Sequence, residues 1–151
     1  MAPSHTTRRK RQYGRWNVEQ RKENSRSVWY VIHDKDNAEI GPLGSRRKGR
    51  LRAQALASAL DSAGISGKYQ LNRVKPPEEK TVVSSSEAET WAQWADRAHP
   101  VPSRIAGHGS PVIAGYLAGA YGLRTEKIAH ELGLSDQTVS QYLSDLRAGR
   151  R

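Results

Sequence analysis

Apolar positions recur at two different periods along this chain, and the change of period divides it into elements. Residues 27–33, SVWYVIH, are β-branched and aromatic, as a strand prefers. Asp34-Lys35-Asp36-Asn37 is turn chemistry, and residues 38–41 predict a short return strand ended by Pro42. In residues 50–63 the period becomes helical. Ala53, Leu56, Ala57 and Leu60 recur at three and four, and Gly64 supplies a stop. Residues 68–74 return to alternation, with Tyr69 and Leu71 on one face. The order over 27–75 is β-β-α-β.

Beyond a linker at 76–84, opened by Pro76-Pro77, the pattern is helical throughout. Ser86 and Glu89 make a capping box that opens a helix to about Ala98. Its apolar face is Ala88, Trp91, Ala92 and Ala95, and His99-Pro100-Val101-Pro102 ends it. Ser110 as N-cap and Pro111 at the first helical position start another helix over 112–121, with Gly122 at its end. Two further helices follow, at 125–132 and 136–147. The predicted fold class is α+β: a small β-β-α-β N-terminal unit followed by an all-α domain over 85–151.

Charge changes this picture by marking out the start of the chain. Residues 1–26 hold eight Lys/Arg against two acids, a net +6. Residues 27–75 hold nine against four, a net +5, while residues 125–151 hold four against four and are neutral. Residues 1–26 lack apolar periodicity and are read as a basic disordered arm, able to order on nucleic acid. Arg8, Arg9, Lys10, Arg11 and Arg15 would take phosphates, with Tyr13 and Trp16 available for stacking. Arg46, Arg47, Lys48, Arg50 and Arg52 put five cations in seven positions with no acid, a second expected phosphate patch.

Only 36% of the chain is hydrophobic, so one large core is not expected. No apolar run approaches the roughly 20 residues of a membrane span, and no apolar segment follows the basic N-terminus as in a secretory signal. The expectation is a cytoplasmic, nucleoid-associated protein with no membrane partner.

The last 27 residues carry the functional signal. Ala129 is small where two helices must approach. Gly133 stands where the first helix ends, a place that favours left-handed backbone. Ser135 suits the N-cap of the second helix, and Val139 the angle between the two. Ile128, Leu132, Leu134, Tyr142 and Leu143 fill the inward places. This window, 125–146, reads as a helix-turn-helix. Residues 112–146 resemble the tri-helical helix-turn-helix domains of bacterial, archaeal and viral regulators, of sigma-factor region 4 and of recombinase DNA-binding tails. The matching residues are Tyr121-Gly122, Glu126-Lys127-Ile128-Ala129, Leu132-Gly133-Leu134-Ser135 and Thr138-Val139-Ser140-Gln141-Tyr142-Leu143.

The resemblance implies that helix 136–147 reads the major groove of double-stranded DNA. At 100° per residue its outward face holds Gln137, Gln141 and Ser144, with Thr138 and Ser140 flanking. Gln137, Thr138, Gln141 and Ser144 are the expected base readers, since a Gln amide matches adenine. Ser135, Ser140 and Arg147 are expected on phosphates. Asp136 and Asp145 flank the reading face where many relatives carry cations, which calls for a homodimer or for help from the basic arm.

No catalytic constellation, cofactor loop or metal motif is read. Cys is absent, and His5, His33, His99, His108 and His130 have no partner at ligand spacing. The expected function is a sequence-specific DNA-binding transcriptional regulator, not an enzyme and without cofactor or metal. A nucleic-acid-binding structural protein and a recombination or replication accessory factor stay open, as does RNA as partner.

Overall fold

The computed structural model describes residues 11–35, 39–65, 91–92, 99 and 101–149. Four strands form an antiparallel sheet in chain order: β1 (Arg11–Tyr13), β2 (Trp16–Glu23), β3 (Arg26–His33) and β4 (Glu39–Ile40). Asn24 and Ser25 join β2 to β3 with φ of 49° and 66°. Two successive positive φ values are what a type I′ hairpin requires. The register pairs Trp16 with His33, Val18 with Val31 and Gln20 with Trp29. Side chains alternate along a strand, so these six share one face of the sheet.

On that face lies α1 (Arg46–Ser62). Its residues 55–60 are all buried, which requires cover on more than one side. The sheet supplies one side and the C-terminal part of the chain the other. That part contributes a short antiparallel pair, β5 (Trp91–Ala92) and β6 (Val101–Pro102), then α2 (Ser103–Ala106), α3 (Ser110–Ala120), α4 (Thr125–Leu132) and α5 (Asp136–Arg147).

The approach of α3 to α1 depends on missing side chains. A Cβ on Gly119 would lie 2.4 Å from the Cβ of Leu56, and one on Gly115 would lie 3.2 Å from that of Ala59. Larger residues there would force the helices apart and open the core.

Several expectations need correction. Residues 11–26 are not a disordered arm: they form β1, β2, the turns that follow them and the first residue of β3. Tyr13, Trp16 and Val18 are buried in the core, and the charge of β2 falls on its more exposed end, residues 19–23. The Trp16 indole N–H donates to the Ile65 carbonyl at 3.0 Å, and the Tyr13 hydroxyl to that of Arg147 at 2.5 Å. Residues 1–10 lie outside the described residues, as do the expected strand at 68–74 and the linker at 76–84.

The helix expected through Trp91 is replaced there by β5, hydrogen-bonded to β6. The helical part is therefore not all-α. The rest of that expected helix, 86–90 and 93–98, lies outside the described residues. The helix expected from residue 50 begins at Arg46, and α3 is N-capped by Gly109 rather than Ser110. One hydrophobic cluster runs from Tyr13 in β1 to Leu146 in α5, so the sheet and the C-terminal helices share a core.

Candidate nucleic-acid interface

Local chemistry sets the angle between α4 and α5. Gly133 ends α4 in the left-handed conformation, φ 68°. The Leu134 N–H returns to the Ala129 carbonyl at 2.9 Å and the Gly133 N–H to that of His130 at 3.3 Å. This double closure is a Schellman motif, and it satisfies carbonyls that a helix end leaves free. Ser135 then caps α5, its Oγ accepting the Thr138 N–H at 3.1 Å. Ile128, Ala129, Val139, Leu143 and Leu146 are buried, which fixes the helix faces.

With those faces inward, Gln137, Ser140, Gln141 and Ser144 are exposed on α5. The Gln141 amide donates to Asp145 Oδ1 at 2.8 Å, which presets its orientation. Thr138 is less available than expected. It is half-buried, and the Ser135 hydroxyl donates to its Oγ1 at 2.8 Å. Ser135 and Thr138 thus serve the cap first.

The expected phosphate residues separate into distinct groups. Arg8, Arg9 and Lys10 lie outside the described residues, and Arg11 is in β1. Arg15 is exposed in the β1–β2 turn, 3.7 Å from Asp34, an exposed pair of little energetic weight. Arg46, Arg47 and Lys48 are exposed in the first turn of α1, while Arg50 and Arg52 are half-buried.

Arg52 is a structural cation. Its Nε donates to the Gly119 carbonyl at 3.1 Å and its Nη2 to that of Ala120 at 3.2 Å, closing the end of α3. Arg147 likewise donates from Nε to the Leu51 carbonyl at 3.3 Å. Burial pushes the pKa of both guanidiniums down. Both remain cations, since the guanidinium starts so high.

Residues separated by four share a side of a helix, so the cations of α1 face two ways. Lys48 and Arg52 line a cleft of about 550 Å³, together with Arg124, Glu126 and Arg147. Arg46, Arg47 and Arg50 turn instead toward Gln20 and Trp29 of the sheet. The α4–α5 segment, with Lys127 and Arg147 against four acids, thus borrows positive charge from Lys48 and Arg52 of α1, more than 70 residues away in sequence. Arg124, exposed at the N-cap of α4, was not among the expected contacts. Its place just before a helix start was the signal that could have found it.

A second unexpected feature holds α4 in place. Glu131 is buried, and both its carboxylate oxygens lie near His99 Nδ1, at 3.0 and 3.1 Å. The His99 ring also meets Tyr121 edge-on, with centroids 4.8 Å apart. Burial, and secondarily the Glu131 charge, push the Tyr121 hydroxyl pKa well up, so it stays protonated.

Among the described residues no group of three His, Cys, Asp or Glu could hold a metal ion, and no helix is long and apolar enough to cross a membrane. Comparison with protein-family models, with curated proteins and with solved structures finds no match.

Proposed function

We propose that the protein is a sequence-specific, non-enzymatic DNA-binding regulator, in which α4 and α5 act as a helix-turn-helix and α5 enters the major groove. The observation that carries this reading is the joint itself: a Schellman turn at Gly133 and a cap at Ser135 leave four polar side chains exposed on α5. That face carries no large apolar group; Asp136 is exposed at its start, Asp145 holds the Gln141 amide beside it, and its two Gln amides suit adenine edges. Lys48 and Arg124 flank the cleft beside α5 and are placed to take phosphates, which position a protein without reading sequence. Nucleoid association follows from this reading.

One observation favours a second reading, a nucleic-acid-binding structural protein. Among the described residues three exposed cations, Arg46, Arg47 and Lys48, stand together on α1, and no cation is among the exposed residues of α5. Such a protein would bind backbone with little sequence preference.

Selection of duplexes from a random pool by the full chain separates the two. The regulator reading predicts an enriched site. The double variant Gln137→Ala/Gln141→Ala then loses preference at one or two base pairs, about 1–3 kcal/mol for each bidentate contact. Enrichment of no sequence, or of the same site with undiminished preference by the variant, would remove α5 from the role of reader.

A further inference from the structure

Trp29 is 3% exposed, and its indole N–H has no hydrogen-bond partner among the described residues. The Nε–H of Arg50 is buried and unpartnered in the same way. Two such donors are costly, because a buried N–H forfeits the water it would otherwise bond. Both residues line one pocket of about 200 Å³ with Gln20, Arg46 and Arg47.

The fold explains why these groups meet. Gln20 and Trp29 are cross-strand neighbours on the sheet face that receives α1. Gly49 lets the first turns of α1 descend onto them; a Cβ there would lie 2.9 Å from Trp29 Cδ1. Arg46 and Arg50, one helical turn apart, then stand over the pair. Every charged side chain lining the pocket is a guanidinium, and no acid is among the described residues that line it. A wider cleft of about 690 Å³, sharing Gln20 and Arg46, is similarly without acids.

The geometry points to a binding pocket for one phosphate group, with the remainder of the phosphorylated molecule in the wider cleft. A phosphate offers only acceptors when ionised, which suits unpartnered N–H donors, and its charge suits the surrounding guanidiniums. The pocket shares no lining residue with the α5 cleft, and its floor, Gln20 and Trp29, belongs to the sheet. It therefore stands whether or not α5 reads DNA. The phosphate can come from a free phosphomonoester, from a nucleic-acid end, or from a backbone phosphodiester, and the chemistry is shared.

Inorganic phosphate titrated into the ¹⁵N-labelled full chain tests this. The chain has four Trp, and Trp29→Phe identifies the indole signal of interest. That signal moves downfield and saturates. Arg50→Gln, which leaves the aromatic packing intact, raises the midpoint about tenfold or more. Two results overturn the proposal: an indole signal that stays still, and one that moves as much with chloride at matched ionic strength. Oligonucleotides with and without a 5′-phosphate, and a duplex, then name the source. A lower midpoint with the 5′-phosphate assigns a terminal monoester, and equal midpoints assign the backbone. Gln137→Ala/Gln141→Ala keeps the phosphate response, so failure of the α5 reading would be seen separately.

Discussion

Arg50 and Arg52 stand two residues apart on one helix, both half-buried, and they meet opposite surroundings. Two carbonyls at the end of α3 occupy Arg52, whereas the buried Nε–H of Arg50 meets no acceptor among the described residues. The first fastens the helical half to α1. The second, with Trp29, leaves buried donors without an acceptor among the described residues at the sheet. A basic run in a sequence therefore does not define one surface. Helical periodicity divides it, and the acceptors that each side encounters decide between structure and binding.

The largest effect is expected where the helices are joined. Val139 is fully buried between α4 and α5. Val139→Glu should cost about 4 kcal/mol or more, since an unpaired carboxylate cannot be buried there. Because the core is shared, strand and helix signals should be lost together in thermal unfolding followed by circular dichroism. A sheet that melts later, on its own, would show that Arg52 and its neighbours do not unite the two halves.

Next comes His99→Ala, which leaves the Glu131 carboxylate buried without its partner. About 3 kcal/mol is expected from denaturant unfolding. A loss below about 0.5 kcal/mol would mean that the pair does not hold α4.

Arg52 and Arg50 give the sharper contrast. Arg52→Ala removes two charge-assisted bonds to carbonyls and should cost about 2 kcal/mol, with Arg52→Lys an incomplete rescue because it lacks the fork. Arg50→Gln should stay within about 0.5 kcal/mol of the parent, as its buried N–H bonds to nothing that is lost. Equal losses at the two positions would erase the distinction.

The α4–α5 joint was legible in the sequence because its determinants are local. Gly133 and Ser135 act within a few residues, and Ile128, Val139 and Leu143 declare their faces by spacing alone. The central strand β3 and the body of α1 were legible for the same reason. The strands at 11–26 were not. Only Tyr13, Trp16 and Val18 mark an inward face there, amid cations that suggested a solvated tail. Their destinations, the carbonyls of Arg147 and Ile65, lie far along the chain. The role of Arg52 was hidden likewise, being set by Gly119. At Trp91 a capping box favoured helix, and only the encounter with Val101–Pro102 selects strand. In the candidate site, exposure of Gln137 and Gln141 was readable from helical period. The commitment of Thr138 to the Ser135 cap, and the arrival of Lys48 and Arg124 beside α5, depend on side-chain bonds and tertiary packing that spacing does not contain.

The proposed division of labour, in which α5 reads bases with two acids and one cation of its own while cations from outside it take phosphates, is tested most directly by a salt titration. Binding of the full chain to its selected duplex and to a random duplex is followed as salt is raised. Each phosphate neutralised contributes about −0.9 to the slope of log affinity against log salt. Lys48→Gln and Arg124→Gln should each flatten that slope by about 0.9, weaken both duplexes alike and leave the preferred sequence unchanged. Gln137→Ala/Gln141→Ala should do the reverse, lowering preference with the slope intact. A slope that ignores Lys48 and Arg124, or a preference that shifts when they are replaced, would contradict the account.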